Sequence, residues 1–229
     1  MSYTRRAFLL GGIASATSLA FADLAGAVSP DINHGPRASK KVALTFHGAG
    51  PTKNATELLN IFSTTNTPVT VFAVGTFLKD NPSFAKQILD GGHDLGNHTM
   101  THTQMKTISA KRVDQEIAEC AALLKKLVGN HGSFFRPSGT QYSTALIRKT
   151  AQKYGYKNCI SYDVDSHDYQ DPGVSAVLNN INKSVKGGSI ISLHFGHQNT
   201  VAAMPKIIEN LNAKGLTPVT LTELIGNVG

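Results

Sequence analysis

The sequence predicts an α/β fold in which helices wrap a parallel sheet that is either open or closed into a barrel. Short apolar runs rich in β-branched residues alternate with segments whose apolar residues recur at helical spacing. No internal repeat, low-complexity stretch or linker interrupts the alternation, and 229 residues suffice for one domain with a full core. Polar residues suited to catalysis follow several apolar runs, where the carboxyl ends of parallel strands would lie.

Six runs predict strands, because each is compact, apolar or β-branched, and bounded by turn-forming residues. They are Val42–Phe46, Val69–Val74, Asp94–Gly96, Asn158–Tyr162, Ser189–Leu193 and Pro218–Thr220.

Helices are predicted where apolar residues recur at helical spacing between a capping residue and a stop signal. The longest begins after Ser109, carries one apolar stripe that includes Val113, Ile117 and Leu124, and stops at Gly129. The predicted helices are Asn54–Thr65, Pro82–Leu89, Lys111–Val128, Thr144–Tyr154, Asp171–Val185, Thr200–Lys214 and Leu221–Ile225.

The first 27 residues have the features of an export signal. A twin-arginine pattern over 4–10 is followed by a mildly apolar run and by an A-x-A cleavage site at 25–27. We expect removal of residues 1–27, leaving a leader loop over 28–40 and a catalytic domain over 41–229. The apolar run contains glycine, serine, threonine and an aspartate, so we expect no stable membrane span afterwards. The protein would be periplasmic, cell-wall-associated or secreted.

Composition excludes several classes of protein. With 41% hydrophobic and 16% charged residues, the chain fits a soluble globular protein. The net charge of +7 is compatible with an anionic glycan or with solubility alone, and no block of lysine and arginine suggests nucleic-acid binding. Cys120 and Cys159 are too few for a disulfide scaffold, so we expect buried thiols, or one disulfide formed after export.

A pair of histidines four residues apart, His98 and His102, gives the first indication of a site. On a helical turn, such residues share one face, with Cβ atoms roughly 5–6 Å apart, and can hold one metal ion. The alternative is two unrelated exposed histidines. Other polar residues that follow apolar runs favour a site: His47, Arg136, Asp163, Asp165, Asp168, His194 and His197.

The pair, one further ligand and a water would make a catalytic metal site with one open position. His194 would then donate a proton to a leaving group. Asp168 or Asp165 would fix the tautomer of an imidazole, and Arg136 would pair with a carboxylate or bind substrate. The alternative for Arg136 and the aspartates is a network of ion pairs and turn caps, and for His194 an ordinary histidine at a strand end.

These residues resemble, in order and from Lys40 to Thr222, the motifs of the polysaccharide deacetylases of carbohydrate esterase family 4, or NodB-homology domain. The second motif, H-[ST]-x-x-H, matches closely, and the fourth has Tyr169 where the family usually has tryptophan. The five matching stretches are Ala43–Phe46, Gly96–His102, Phe135–Gly139, Asp165–Tyr169 and Ser192–His194.

The resemblance implies a distorted (β/α) barrel with fewer than eight regular repeats. It also implies metal-dependent hydrolysis of N-acetyl or O-acetyl groups on a polysaccharide such as peptidoglycan or a chitin-like glycan. By this resemblance His98 and His102 bind a divalent metal, for which we expect Zn²⁺, and Asp168 tunes the general acid His194. We also assign Arg136 and Asp165 to the catalytic group.

Stacking of a sugar on an aromatic side chain must involve residues other than tryptophan, since the chain contains none. Tyr142, Tyr162, Tyr169 and Phe195 are the candidates. Tyr169 and Phe195 are the predicted substrate contacts.

The first motif departs from the family pattern T-F-D-D-G, in which the first aspartate is the general base and the second a metal ligand. Here Thr45-Phe46 is followed by His47 and Gly48, so both carboxylates are missing. Three interpretations remain. His47 is the third metal ligand, which we adopt; or it is the base while Asp163 or Asp165 completes the metal shell; or catalysis is lost and glycan binding is kept. A metal-dependent amidohydrolase acting on a non-sugar amide would share these motifs.

Overall fold

Six parallel strands lie at the centre of the molecule in the computed structural model, which describes residues 30–132 and 134–226. The central strand pairs with three others, and two more flank that group. In chain order the strands are β1 (Lys41–Gly48), β2 (Thr70–Ala73), β3 (Asp94–Asn97), β4 (Val164–Asp165), β5 (Ile190–His194) and β6 (Thr217–Val219). The order across the sheet is β3-β2-β1-β5-β4, with β6 paired to the start of β1. The predicted parallel α/β class is confirmed.

Single β-bridges continue the sheet from β3 round to β4 and give it the form of a distorted (β/α) barrel. Asn97 bridges to Phe135, and Phe135 bridges to Cys159. Five residues beyond Cys159, β4 begins and pairs with β5. The predicted strand Asn158–Tyr162 is therefore wrong as an element, since this stretch contributes isolated bridges only. Part of the predicted leader loop also joins the sheet, because Ile32 forms a single bridge to Ile160.

Eight helices lie within the described residues, one more than the seven that were predicted. They are α1 (Thr52–Thr65), α2 (Gly75–Asp80), α3 (Ser83–Asp90), α4 (Ala110–Val128), α5 (Ala145–Lys153), α6 (Val174–Asn182), α7 (Gln198–Ala213) and α8 (Leu221–Ile225). The predicted cap of α4 forms, since the Ser109 hydroxyl accepts from the backbone N–H of Arg112. Thr144, predicted as the first residue of a helix, caps α5 in the same way. The unpredicted helix α2 is only six residues long.

Alternation along β1 places polar and apolar side chains on opposite faces of the strand. Leu44 and Phe46 belong to the buried core between sheet and helices, and the Phe46 ring lies 5.2 Å from that of Phe62 in α1. Burial of each such side chain stabilises the fold by roughly 1.5–3 kcal/mol. Thr45 and His47 consequently point to the other face, inside the barrel. This alternation brings His47 to the carboxyl end of the barrel.

The two cysteines are separate buried thiols, as the first of the two sequence alternatives predicted. Burial raises the pKa of Cys120 and of Cys159 to about 12, so both stay protonated at neutral pH. Between residues 30 and 226, residue 133 aside, no helix combines the length and the apolar character needed to cross a bilayer. The predicted signal peptide over 1–27 lies outside the described residues.

Candidate metal centre and active site

Three histidines, one from β1 and two from the segment that follows β3, meet at the carboxyl end of the sheet. One ring nitrogen from each of His47, His98 and His102 can be chosen so that all three atoms lie within 4.8 Å of one another. His47 is in β1, and His98 directly follows β3. Since parallel strands end at the same edge of a sheet, residues far apart in sequence converge there. Within the described residues this is the one group of three or more such side chains close enough to hold a metal ion.

The segment between His98 and His102 is a loop and not the helical turn on which the spacing argument relied. Thr99 has φ = 70° and His102 has φ = 56°, both in the left-handed region. The two rings nevertheless approach, with centroids 4.9 Å apart. The two predicted histidines therefore do lie close together, but the helical turn on which that prediction rested is absent from this segment.

Buried polar side chains hold this loop in place. The Asn97 carboxamide oxygen accepts from the backbone N–H of Thr99 at 2.8 Å. Glu116, on α4, accepts from the backbone N–H of Thr101 at 2.7 Å, and its side chain is fully buried. This role of Glu116 could not be predicted, because in the sequence it is simply a charged residue beside the apolar stripe of α4.

Hydrogen bonding sets the tautomer of His98. Its Nδ1 lies 2.9 Å from the backbone carbonyl oxygen of Arg136. A carbonyl oxygen only accepts, so Nδ1 carries the proton and Nε2 keeps its lone pair. That lone pair faces His47, whose Nδ1 is 2.8 Å away. A metal-binding histidine usually donates its other N–H to such an acceptor, which fixes the ring.

His47 turns Nδ1, and not Nε2, towards the other histidines. Its Nε2 points away, to the hydroxyl of Ser192 at 3.1 Å and to Nη1 of Arg136 at 3.5 Å. Ser192 was considered in the sequence only as part of a motif, with no role assigned to it.

Electrostatics keep these imidazoles neutral. Burial, and then the neighbouring histidines and Arg136, lower the pKa of His47 well below its usual value. Burial also lowers the pKa of His98 and, less strongly, of His102. Metal binding requires the neutral form of histidine, so the environment favours the state that can act as a ligand.

His194 forms a tightly bonded pair with Asp168 beside the three histidines. The His194 Nδ1–H donates to Asp168 Oδ1 at 2.7 Å, and the backbone N–H of His194 donates to Oδ2 at 2.8 Å. Thr200 donates a third hydrogen bond to the carboxylate. Burial alone would raise the pKa of Asp168, but these hydrogen bonds outweigh it and lower that pKa. The His194 ring stacks on His47 with centroids 4.3 Å apart.

The other predicted carboxylates lie outside this arrangement. Asp165 accepts from the backbone N–H of His167 at 2.8 Å, which is a turn-capping contact. Asp163 accepts from the backbone N–H of Ile190 and forms an ion pair with Arg37 at 2.9 Å. Asp168, and not Asp165, therefore holds His194, and no carboxylate joins the three-histidine group within the described residues.

Arg136 is buried inside the barrel, with 1% of its surface exposed. It donates to the Thr45 hydroxyl at 2.9 Å and to two backbone carbonyls, and its guanidinium lies 4.2 Å from the centroid of the Phe72 ring. Burial lowers its pKa to about 9. The predicted pairing of Arg136 with a carboxylate is wrong for the described residues, and its side chain does not line the cavity beside the histidines. The guanidinium of Arg136 contacts the site through His47.

A cavity of about 400 Å³ opens beside the histidines. Tyr162 and Tyr169 line it, and the Tyr169 side chain is accessible, since 45% of that residue is exposed and its ring lies 5.4 Å from that of His194. Phe195 is fully buried against Phe46, at 5.3 Å between centroids, so its predicted contact with substrate is wrong. A smaller cavity of about 210 Å³ lies on the other side of the histidines, next to Ala49 and Gly196.

A cavity of about 550 Å³ elsewhere, between the ends of α1 and α3, contains no residue of the three-histidine group. It is larger than the two cavities beside the histidines, but those smaller cavities are lined by His47 and His102, which lie within reach of each other and both have a lowered pKa. We therefore assign the candidate site to the histidine cluster.

The three-histidine group fits a divalent metal such as Zn²⁺. Each member offers an imidazole nitrogen, the pKa of each is lowered, and the lone pair of His98 is already directed into the group. Three protein ligands would leave a fourth position open to water or substrate, which is the arrangement of catalytic zinc sites.

Comparison with known proteins gives matches across most of the chain. The family description "polysaccharide deacetylase" matches residues 34–159. A peptidoglycan-N-acetylglucosamine deacetylase of Bacillus cereus is 32% identical over 194 residues, covering 83% of this chain and 90% of that protein. A chitooligosaccharide deacetylase of Rhizobium leguminosarum bv. phaseoli is 29% identical, covering 75% and 80%.

Solved structures agree on the fold. A wild-type CE4 family pseudoenzyme from Bacillus anthracis superimposes with a TM-score of 0.80 at 25% identity, covering 86% of this chain and 69% of that chain. A mutant of that pseudoenzyme with restored enzymatic activity gives the same score. Both active and inactive proteins therefore share this architecture.

Proposed function

The chain belongs to the polysaccharide deacetylase family, and from that premise we propose that it is a metal-dependent hydrolase that removes acetyl groups from a glycan. One observation carries the proposal: the three-histidine group lies directly beside the His194–Asp168 pair at the mouth of a cavity. A metal site and a positioned proton donor are the two parts that hydrolysis of an acetamide needs.

His47, His98 and His102 would hold the metal through ring nitrogens. A bound divalent metal would supply Lewis acidity, lowering the pKa of water and polarising the acetyl carbonyl. The histidines themselves fix where that chemistry takes place, because His98 is anchored to the Arg136 carbonyl and His47 to Ser192.

His194 would deliver the proton that the departing amine requires. Asp168 holds the Nδ1–H of His194, which leaves Nε2 as the nitrogen that exchanges protons with the substrate. The Asp168 carboxylate is buried, and its hydrogen bonds lower its pKa and keep it charged beside the ring. As the oxygen of a water bonds to the acetyl carbon, His194 Nε2 would take up a proton from that water and then give it to the nitrogen as the C–N bond breaks, which leaves acetate and an amine.

An acetylated glycan fits the groove better than a small amide does. The 400 Å³ cavity is open to solvent, and the accessible ring of Tyr169 stands at its wall next to His194, where a sugar ring can stack on it. The named activities of the similar proteins, on peptidoglycan N-acetylglucosamine and on chitooligosaccharides, support the same class of substrate. Export by the twin-arginine signal over 1–27 would bring the enzyme to the cell wall or the exterior.

His47 is better placed as a ligand than as a general base. Its Nδ1 faces the lone pair of His98 at 2.8 Å, and its Nε2 is occupied by Ser192 and Arg136. If His47 were the base, another group would have to complete the metal shell, and Asp163 and Asp165 both lie in other contacts. In the proposed site, the imidazole of His47 would therefore take the metal-binding role that the second aspartate of the family motif has.

Release of acetate tests the proposal. Purified protein, loaded with one equivalent of Zn²⁺, should release acetate from N-acetylated peptidoglycan fragments or chitooligosaccharides, and a chelator should abolish the release. The variant His98→Ala, which removes a buried ligand, should contain no bound metal by elemental analysis and release no acetate. Acetate release from small aryl acetamides alone would favour a non-sugar amidohydrolase.

A glycan-binding domain without catalysis is the second candidate. It is favoured by the lack of a carboxylate in the three-histidine group within the described residues and by the similarity to a pseudoenzyme. Saturable binding of chitooligosaccharides by the metal-loaded protein, with no acetate released over many hours, would support it and contradict the deacetylase proposal.

A further inference from the structure

Ser192 is a buried hydroxyl that the proposed reaction does not use. It lies in β5 opposite Thr45 of β1, and 1% of its surface is exposed. The only hydrogen bond of its side chain among the described residues is with Nε2 of His47, at 3.1 Å. The same nitrogen has one other polar neighbour, Nη1 of Arg136, at 3.5 Å.

Donor and acceptor roles in this chain of groups follow from its two ends. The Nδ1–H of His98 donates a hydrogen bond to the Arg136 carbonyl, so Nε2 of His98 is an acceptor. His47 Nδ1, 2.8 Å from that acceptor, must then be a donor, which makes Nε2 of a neutral His47 an acceptor. Both neighbours of Nε2 can satisfy it, because Ser192 and Arg136 each have a proton to donate.

A metal held by His98 Nε2 and His47 Nδ1 changes this pattern. Both nitrogens would need their lone pairs, so the proton on His47 Nδ1 must be lost to solvent and one from solvent added to Nε2. The ring stays neutral and becomes the other tautomer. The new Nε2–H needs an acceptor, and a guanidinium has none to offer. A serine hydroxyl can rotate from donor to acceptor, and Ser192 is the one neighbour of Nε2 able to do so.

We infer that Ser192 is the positioning residue that lets His47 serve as a metal ligand, by accepting the Nε2–H bond in the metal-bound tautomer. This inference rests on the proposed metal site. Ser192 does not touch the metal, and it acts by satisfying the ring on the side facing away from the cluster. Without the hydroxyl, the Nε2–H would face the positively charged Arg136, and none of its remaining hydrogen-bonding neighbours among the described residues would be an acceptor.

Metal affinity of three variants tests the inference. Zinc dissociation constants are measured by chelator competition for the wild type, Ser192→Ala, Ser192→Thr and Ser189→Ala. We expect Ser192→Ala to bind zinc about 10–100-fold more weakly, the usual effect of removing a partner of a ligand. Ser192→Thr keeps a hydroxyl and should restore most of the affinity. Ser189→Ala removes a buried hydroxyl just before the same strand, one that bonds to Asp163, and should bind like the wild type.

The tautomer of His47 gives a second readout that does not depend on any variant folding. Long-range ¹H–¹⁵N spectra of the wild type should show Nδ1–H on His47 without metal and Nε2–H with zinc bound. Equal zinc affinity for the wild type and Ser192→Ala, or an Nε2–H tautomer already present without metal, would overturn the inference and leave the proposed function standing. A wild type that binds no zinc would overturn the metal site, and this inference with it.

Discussion

Asp168 shows how one buried charge can organise a catalytic residue. Its two oxygens accept three hydrogen bonds, from the ring and backbone of His194 and from Thr200. The carboxylate is fully buried, so these three donors and not solvent satisfy it. Its hydrogen bonds therefore fix both the position and the tautomer of His194.

Replacing Asp168 by asparagine should destabilise the protein in a pH-dependent way. The NH₂ group of the asparagine side chain would face N–H groups of His194 or the hydroxyl of Thr200, which are themselves donors. Losing the hydrogen bonds to a buried charge costs about 2–4 kcal/mol at neutral pH. Because the native pKa of Asp168 lies below its unfolded value near 3.9, the charge contributes stability above about pH 4. That contribution is lost as the pH falls through the native pKa. Urea unfolding of both proteins at pH 7, 5, 4 and 3 should show the difference shrinking below pH 4; a constant difference would contradict it.

Removing the His194 imidazole should impair turnover without unfolding the protein. We expect His194→Ala to lower kcat by roughly 10²–10⁴-fold, the usual contribution of a positioned acid. His167→Asn is the control, because His167 is an exposed histidine at the edge of the groove that shares the neighbour Tyr169. Acetate release by this control should stay within a few-fold of the wild type. Near-normal turnover by His194→Ala would remove its assigned role.

At the scale of the element, the loop after β3 stores strain at His102, one of the three proposed metal ligands. His102 has a left-handed backbone, which costs about 1–2 kcal/mol for a residue with a side chain. Asn97 and Glu116 hold the loop in that conformation.

Glycine should therefore suit position 102 better than alanine does, reversing the usual order. In the metal-free protein we expect His102→Gly to be more stable than His102→Ala by about 1 kcal/mol, measured by urea unfolding. At Lys111, an exposed position in α4, alanine should instead be more stable than glycine by about 1 kcal/mol. Neither variant at 102 should bind zinc with wild-type affinity. An alanine variant at 102 that matches or exceeds the glycine variant would show that the loop relaxes once the imidazole is gone.

Strand β1 has no space for a carboxylate next to His47. A Cβ at Gly48 would lie 2.8 Å from Val71 Cγ1 and 3.2 Å from Ala73 Cα. We expect Gly48→Ala to destabilise the protein by about 1–3 kcal/mol, the usual effect of overpacking. Gly196→Ala is the control, since its nearest neighbour would be 3.4 Å away. Equal midpoints for the two variants in urea would show that β2 moves aside easily. The second aspartate of the family motif could therefore not be restored here without moving β2.

The sequence was sufficient where periodicity or chain position alone decides the outcome. Alternation in β1 and the shared carboxyl edge of parallel strands were enough to bring His47 and His98 together. Side-chain direction just beyond a strand end was not predictable, so buried Phe195 was mistaken for a substrate contact. Contacts between residues distant in the sequence were not predictable either. Which nitrogen of His47 faces the cluster depends on Ser192, 145 positions away.

At the scale of the whole molecule, the proposed metal would join segments that lie far apart in the sequence. His47 comes from the centre of the sheet, while His98 and His102 lie beyond its edge strand β3. A metal bound by all three histidines should stabilise the native state as a whole, since it binds the folded protein and not the unfolded chain.

Zinc should raise the thermal midpoint, and a chelator should reverse the rise. At a free zinc concentration 100 times the dissociation constant, binding adds about 2.7 kcal/mol. For a protein of this size each kcal/mol shifts Tm by about 2–4 °C, so we expect a rise of about 5–11 °C. His98→Ala should show no zinc-dependent shift, whereas His131→Ala, which changes a histidine away from the cluster, should respond like the wild type. Scanning calorimetry with and without zinc measures this. If wild type and His98→Ala shift equally, zinc binds elsewhere on the molecule, and the three-histidine site is not the metal centre.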